Sequence, residues 1–261
     1  MSHTKDIFSA PGFSVIDYAK CAVFANSVGE EVLERLSWVK MQPRVILDVG
    51  CSTGNFTQKL QALYPQAQVV GTDAAYSMVG YARAQAELDF VCADATLLPL
   101  KNQSVDLIFA NMVLPWCGDV KTVLQEWRRV LRSQGLLVFT ALGPDTLGMW
   151  RDKFGGNIIP ACVDMHDLGD ALTQGKFAEP IMDVDYFTLN YRNAAHFCRE
   201  LEVTGMLLPV PPDAFGESRD VYPAVFEVVH GHAWRPDASA DQTADAEGVV
   251  RVPLAHLRGR R

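Results

Sequence analysis

The spacing of apolar residues changes period repeatedly along the chain. From Asp17 to about Lys40, Phe24, Val28, Val32 and Leu36 recur every four residues and Leu33 widens the stripe, which predicts one amphipathic helix. Glu30, Glu31 and Glu34 fall on or near its wet face. Pro43 separates it from an apolar run over 44–49, the pattern of a strand buried on both faces. That run stops at Gly50-Cys51-Ser52-Thr53-Gly54, and a helical pattern over 54–63 starts at once. Further strands are predicted over 67–73, 89–92, 104–111 and 136–140, with helices over 77–85 and 119–132. In the helix over 119–132, Val120, Val123, Leu124, Trp127 and Leu131 share one face, and Gly135 is its expected stop.

Strand and helix thus alternate over about a hundred residues, which implies an α/β fold. The expected architecture is a doubly wound, mostly parallel sheet with right-handed crossovers. After Ala141 the rhythm breaks. Pro144, Gly148, Gly155-Gly156 and Pro160 mark an insertion over 143–165 at the sheet's carboxyl edge, partly helical near 145–154. A helix (166–175), a strand (181–191), a helix (193–204) and a strand (222–234) follow, bringing the strands to seven. Between Val184-Asp185-Tyr186 and Phe187, Leu189 and Tyr191 the apolar phase slips by one residue, which predicts a bulge. Residues 1–16 read as an arm or lid, 235–247 as a polar mobile stretch, 248–254 as a further edge strand and 258–261 as a solvated basic tail. The expected organisation is an arm and helix over 1–40, a main domain over 41–234 and a tail over 235–261.

Composition narrows the function classes. A chain of 261 residues with 49% hydrophobic and 21% charged residues can bury a sizeable core. A net charge of −8 argues against nucleic acid as the main partner. No apolar run approaches the roughly 20 residues of a membrane span. Met1-Ser2-His3-Thr4-Lys5-Asp6 lacks the apolar core of a secretory signal. The six cysteines form no CxxC pair and read as reduced core thiols of a cytoplasmic protein. His230 and His232 share one side of a strand, but no third ligand is evident, so no metal is expected.

The candidate chemistry sits at the glycine turn, where a strand feeds a helix and backbone N–H groups face the sheet's carboxyl edge. A phosphate-binding P-loop needs Lys and Ser or Thr after its second glycine; Asn55-Phe56 follow Gly54 here. The dinucleotide pattern needs glycine where Ser52 and Asn55 stand. The remaining pattern is an acid followed by alternate glycines, Asp48-x-Gly50-x-Ser52-x-Gly54, with a second acid, Asp73, ending the next strand.

On these residues the chain resembles the class I S-adenosylmethionine-dependent methyltransferases over roughly 44–141. The resemblance implies a Rossmann-like domain and S-adenosylmethionine as cofactor. It implies that Gly50, Ser52 and Gly54 pack against the cofactor's amino-acid part, with Asp48 bracing or contacting that site. Asp73, with Ala74 beside it, takes the ribose hydroxyls; Asp94, with Ala95, faces the adenine. Asn111-Met112-Val113-Leu114 lines the methyl-transfer site. A vicinal diol offers two O–H donors, and one carboxylate can accept both. The cofactor carries no phosphate, and the loop has no Lys or Arg. Ser52 departs from the family's middle glycine.

The flanks resemble a narrower group, the malonyl-[acyl-carrier protein] O-methyltransferases of biotin synthesis. The matching stretches are Tyr18 with the helix ending Val32-Leu33-Glu34-Arg35-Leu36, then Leu114-Pro115-Trp116-Cys117 and Glu126-Trp127-Arg128-Arg129-Val130-Leu131. Val163-Asp164-Met165-His166-Asp167-Leu168, Pro180-Ile181-Met182-Asp183, Phe226-Glu227-Val228-Val229-His230-Gly231-His232 and Val252-Pro253-Leu254 complete the match. The implied activity is esterification of the free carboxylate of a malonyl thioester on acyl-carrier protein, with Tyr18, Asn111 and Trp116 at the reacting end. Two departures are Ala19, where the family has Asp after the Tyr, and a single Arg over 203–220, where relatives are basic. Arg128, Arg129 and Arg132 read as a solvated helix face or as a docking patch for an acidic carrier. Two other functions fit the same fold: a methyltransferase for another small carboxylate or hydroxyl substrate, and a non-methylating assembly factor or hydroxylase.

Overall fold

The computed structural model describes residues 13–154, 161–206 and 221–237. The first part of the expected arm, the centre of the insertion, most of 203–220 and the expected edge strand and basic tail lie outside the described residues. The seven strands β1 (Val45–Val49), β2 (Gln68–Asp73), β3 (Asp89–Cys92), β4 (Val105–Ala110), β5 (Leu131–Leu142), β6 (Ala178–Tyr191) and β7 (Tyr222–Trp234) form one sheet. Their order is β3-β2-β1-β4-β5-β7-β6. β1 to β5 pair in parallel, and β7 runs antiparallel to both β5 and β6. The chain winds outward from β1 through β2 and β3, then returns to start β4 on the other side of β1. Open α/β sheets bind ligands at such a reversal.

Both faces of the sheet are covered, which is why its central strands read as unbroken apolar runs. Ile46, Leu107 and Phe109 pack with one buried cluster; Leu47, Ile108 and Ala110 pack with the other. Helix α2 (Val23–Ser37) and helix α3 (Asn55–Leu63) cover the first face through Phe24, Val28, Val32, Leu36, Phe56 and Leu60. Helix α5 (Val120–Val130) and helix α7 (Met165–Gln174) cover the second through Leu124, Trp127, Leu168 and Leu172. Helix α4 (Tyr76–Gln85) joins β2 to β3, and helices α6 (Gly148–Phe154) and α8 (Ala194–Val203) follow β5 and β6.

The structure corrects six expectations. The helix over 17–40 is two helices, α1 (Val15–Cys21) and α2, broken at Ala22, where ψ is 44°. Ala22 gives α2 no side-chain cap; the Glu200 carboxyl is raised by burial, and the Val23 and Phe24 N–H groups at the start of α2 oppose that rise. Helix α5 stops at Val130, not at Gly135, and β5 begins at Leu131. Arg235 explains the stop: its Nη1 donates to the carbonyls of Arg128 and Leu131, both at 2.6 Å. Arg235 therefore belongs to the folded body, not to a mobile stretch.

No bulge interrupts 184–187. The register runs unbroken from Ile181 against His232 to Tyr191 against Tyr222, and the irregularity lies between Ala178 and Ile181. The apolar phase slips because β6 is covered on different faces along its length. Met182 and Val184 pack with the α7 side, whereas Phe187, Leu189 and Tyr191 pack with the α2 side. The three arginines are not a solvated helix face: Arg128 donates to the Lys176 carbonyl, Arg129 pairs with Glu126 and donates to Leu98 and Leu100, and Arg132, already in β5, pairs with Asp106. Of the six free cysteines only Cys51 and Cys198 are buried, and Cys92 is exposed. Among the described residues no helix is long and apolar enough to cross a membrane.

Candidate functional site

The glycine turn sits where β1 ends beside β4. Its backbone enters the left-handed region at Gly50, Ser52 and Gly54, with φ of 69°, 51° and 79°. Two of these positions demand glycine for space as well. A Cβ at Gly50 would lie 2.5 Å from Val113 Cγ2, and one at Gly54 would lie 3.0 Å from Ala82 Cβ. Ser52 bears the left-handed conformation with a side chain, at a cost of roughly 1–2 kcal/mol. Gly54 caps α3 without a side chain, so first-turn N–H groups of that helix stay open.

Three aspartates line the turn's cavity. Asp48 is 1% exposed, and its Oδ2 accepts the Thr57 hydroxyl at 2.6 Å. Burial raises its carboxyl to about 7; the Thr57 hydrogen bond works against that rise and the charge of Asp73 adds to it. Asp73 Oδ2 accepts the Ser52 N–H at 2.9 Å, and its Oδ1 accepts the Ala75 N–H at 2.8 Å. Burial outweighs these two bonds and holds the Asp73 carboxyl above its ordinary value. Asp94 Oδ1 accepts the N–H and the hydroxyl of Thr96 at 2.9 and 2.8 Å. Each carboxylate keeps unused lone pairs, since two oxygens offer about four acceptor sites.

Helices α1, α2 and α8 close the opposite wall. Burial raises the phenol of Tyr18 on α1; the Ser52 hydroxyl works against that rise and the charge of Asp73 adds to it. Asn111, just past β4, donates from Nδ2 to the Ala25 carbonyl at 2.8 Å. Its Oδ1 accepts the Thr140 hydroxyl at 2.8 Å. Asn111 thus pins the end of β4 to α2 and β5. Trp116 ends a single 3-10 turn, Leu114–Trp116, that Pro115 favours by fixing its own φ.

The resulting cavity holds about 360 Å³, enough for a cofactor-sized ligand. Tyr18, Asp48, Gly50, Ser52, Asp73, Ala74, Asp94, Ala95, Asn111 and Trp116 all line it. Gly54 does not; it is buried behind the turn. Among the described residues the lining has no Lys or Arg. The sequence reading missed Thr57, Asn26, Glu200, Leu201 and Met206. Thr57 had a signal, since the first turn of a helix after such a loop faces back towards the strand. The others reach the cavity only through tertiary packing.

Outside this cavity, His230 meets two carboxylates that the sequence reading did not pair with it. Ligand atoms of Glu31, Asp185 and His230 lie within 4.8 Å of one another. The Arg35 guanidinium fills the space between the carboxylates: its Nη2 donates to Glu31 at 2.6 Å and to Asp185. Burial lowers the His230 imidazole to about 4, with Arg35 lowering it further and Asp185 and Asp183 opposing.

Comparison with known proteins agrees with this geometry. The methyltransferase domain family model matches residues 47–139. A malonyl-[acyl-carrier protein] O-methyltransferase of Methylovorus sp. (strain MP688) is 36% identical, over 85% of this chain and 85% of that protein. The same-named protein of Gallionella capsiferriformans (strain ES-2) is 35% identical, over 90% and 91%. Among solved structures, a methyltransferase from Bacillus halodurans C-125 matches with a TM-score of 0.58 at 17% identity, covering 80% of this chain and 99% of that one. Geranyl diphosphate C-methyltransferase from Streptomyces coelicolor A3(2), solved with S-adenosyl-L-homocysteine, matches with a TM-score of 0.53 at 15% identity, covering 80% of each chain. These two structures establish the fold. With the family match and the close relatives, they make this chain a class I S-adenosylmethionine-dependent methyltransferase that belongs to the malonyl-[acyl-carrier protein] O-methyltransferase family.

Proposed function

We propose that this chain transfers the S-adenosylmethionine methyl group to the free carboxylate of a malonyl thioester carried by acyl-carrier protein, forming the methyl ester. The observation that carries the reading is the cavity itself. It combines three aspartates, a glycine turn and the aromatic side chains of Tyr18 and Trp116, with no basic side chain among its described lining residues. That set suits an adenosyl ligand without phosphates.

The cofactor fits the groups present. Asp73 has acceptor sites left for the two ribose hydroxyls after its bonds to Ser52 and Ala75. Asp94 faces the adenine, with Ala74 and Ala95 lining its path. Gly50 and Ser52 bring bare backbone to the amino-acid part, and Asp48 stands at its ammonium end. When bound, the cofactor supplies an electrophilic methyl on a sulfonium.

A malonyl carboxylate is already ionised at neutral pH. No general base is needed, and the residues have to orient and desolvate the acceptor. The cavity's own acids repel a carboxylate, so the acceptor relies on neutral donors. Tyr18 fits that role because burial keeps its phenol protonated, and Trp116 lines the same cavity. Asn111 acts by position, since both ends of its amide are bonded within the chain. The arm that carries Tyr18 works as the lid.

The test is incubation of the protein with methyl-labelled S-adenosylmethionine and malonyl-acyl-carrier protein. The expected product is an alkali-labile methyl ester on the malonyl group. Label that enters only other acids or hydroxyl compounds overturns the acceptor assignment. Cofactor binding without transfer to any acceptor overturns the activity on carboxylates altogether.

A further inference from the structure

Thr140 lies near the carboxyl end of β5 and is 0% exposed. It does not line the cavity, yet its hydroxyl joins three residues that do. The hydroxyl accepts the Met112 N–H at 2.9 Å and donates to Asn111 Oδ1 at 2.8 Å. Asn111 Nδ2 in turn donates to the Ala25 carbonyl at 2.8 Å.

The direction of this chain follows from what each group can do. A backbone N–H only donates, and a carbonyl only accepts. The Met112 N–H takes a lone pair of the hydroxyl, which leaves the hydroxyl's single proton for Asn111. That proton holds Oδ1 toward β5 and leaves Nδ2 to Ala25. Valine at this position keeps the branched shape and offers neither bond.

Met112 gives a second reason. Its φ is 56°, in the left-handed region, and it is 4% exposed. A residue with a Cβ holds such a backbone only where its surroundings fix it. The Thr140 hydroxyl does so, and without it a buried N–H loses its partner. Helix α2 does not depend on this chain for its own seat. Its buried face packs on the sheet, and Asn26 Oδ1 accepts Asn55 Nδ2 at 3.0 Å. Loss of the Thr140 hydroxyl therefore acts on the end of β4 more than on the fold.

We infer that Thr140 is a positioning residue for methyl transfer: through one hydroxyl it orients the Asn111 amide and fixes the Met112 backbone, and so sets the wall along which donor and acceptor align. The inference rests on the proposed reading for the reaction at that wall. In-line displacement depends on alignment, whereas cofactor affinity depends on the glycine turn and its aspartates. The loss of Thr140 is felt in kcat and not in cofactor binding.

The test compares wild type with Thr140→Val, Thr140→Ala and Thr140→Ser. Three quantities are measured: kcat and KM with S-adenosylmethionine and malonyl-acyl-carrier protein, S-adenosylhomocysteine affinity by calorimetry, and exchange of the Asn111 side-chain amide protons by NMR without ligand. Thr140→Val should lower kcat by about tenfold or more. Its S-adenosylhomocysteine affinity should stay within about twofold of wild type. The Asn111 amide protons should exchange roughly tenfold faster. Thr140→Ala removes the same hydroxyl and takes the place of Thr140→Val if that variant does not fold. Thr140→Ser keeps the hydroxyl and should return kcat to within about threefold of wild type. Unchanged kcat, a serine variant as impaired as the valine one, or an equal loss in S-adenosylhomocysteine affinity would overturn the positioning role. A wild type that transfers no methyl fails the proposed function, whereas unchanged Asn111 amide exchange in the variants fails this inference whatever the activity.

Discussion

Thr57 in the first turn of α3 donates its hydroxyl back to Asp48 at the end of β1, at 2.6 Å. The bond closes the glycine turn on itself and leaves Asp48 buried, with its carboxyl raised to about 7. The unfolded value is about 4. Between the two, the folded state binds the proton that the unfolded state has lost. The stability contributed by Asp48 is therefore fully present below about pH 4 and is lost as pH rises through 7. Asp48→Asn should thus raise the thermal midpoint of the ligand-free protein more at pH 8 than at pH 5. An equal change at both values contradicts the assignment. Thr57→Val removes a bond that favours the ionised form, so it should move the Asp48 transition above 7.

Asp73 organises the turn before any ligand arrives, because both its oxygens hold backbone N–H groups. Replacing it costs those bonds and the ribose contacts together. Asp73→Ala should weaken S-adenosylhomocysteine binding by at least about 30-fold, the scale of losing hydrogen bonds to a charged group. Asp73→Asn keeps one of the two acceptors, loses the charge and sets its amide NH2 against the other backbone N–H. Calorimetry should show it binding weakly, with a thermal midpoint lowered by the lost turn bond. Binding by the alanine variant equal to wild type would remove Asp73 from the cofactor site.

The sheet and the turn were legible because their signals are local. The run Val45-Ile46-Leu47-Asp48-Val49 before Gly50, and Asp73 at the next strand's end, follow from period and chain order alone. Ten of the predicted site residues do line the cavity. The break at Ala22 was not legible. Phe24, Val28, Val32 and Leu36 keep helical spacing, and a single non-helical ψ at Ala22 leaves no trace in that period. The phase slip in β6 is visible in the sequence, but its cause is not. A one-residue change of phase looks the same whether the backbone bulges or the covering helices change sides. The end of α5 depends on Arg235, remote in sequence.

Gly29 shows how tightly α2 sits on α3. A Cβ there would lie 2.1 Å from Phe56 Cζ. Phe56 directly follows the turn, so it cannot move without disturbing the cofactor loop. Gly29→Ala should cost about 1–3 kcal/mol in urea unfolding, the scale of overpacking a core. It should also weaken S-adenosylhomocysteine binding. Adding Phe56→Leu should restore part of the stability, and a double variant no better than the single one would place the strain elsewhere.

Asp106 gives the opposite pH dependence to Asp48. Burial pushes its carboxyl up, but hydrogen bonds from Arg132, Val45 and Arg44 outweigh burial and bring it below its ordinary value. Arg132 Nη1 reaches both its oxygens at 2.6 Å. The stability it contributes is present above the unfolded value near 4 and is lost as pH falls through the lower folded value. Asp106→Asn should cost about 2 kcal/mol at pH 7. The difference from wild type should shrink by pH 3, and a difference that grows there would contradict the ion pair's role.

The central claim is that this cavity esterifies a malonyl carboxylate presented on a carrier, without a general base. One competition experiment tests it directly. Acetyl-, malonyl- and succinyl-acyl-carrier protein are mixed in equal amounts with the protein and methyl-labelled S-adenosylmethionine, and each carrier is separated and counted. The account predicts label on the malonyl carrier as a methyl ester, little on the succinyl carrier and none on the acetyl carrier, which has no free carboxylate. Label on the acetyl carrier, or equal label on the two acids, would contradict it.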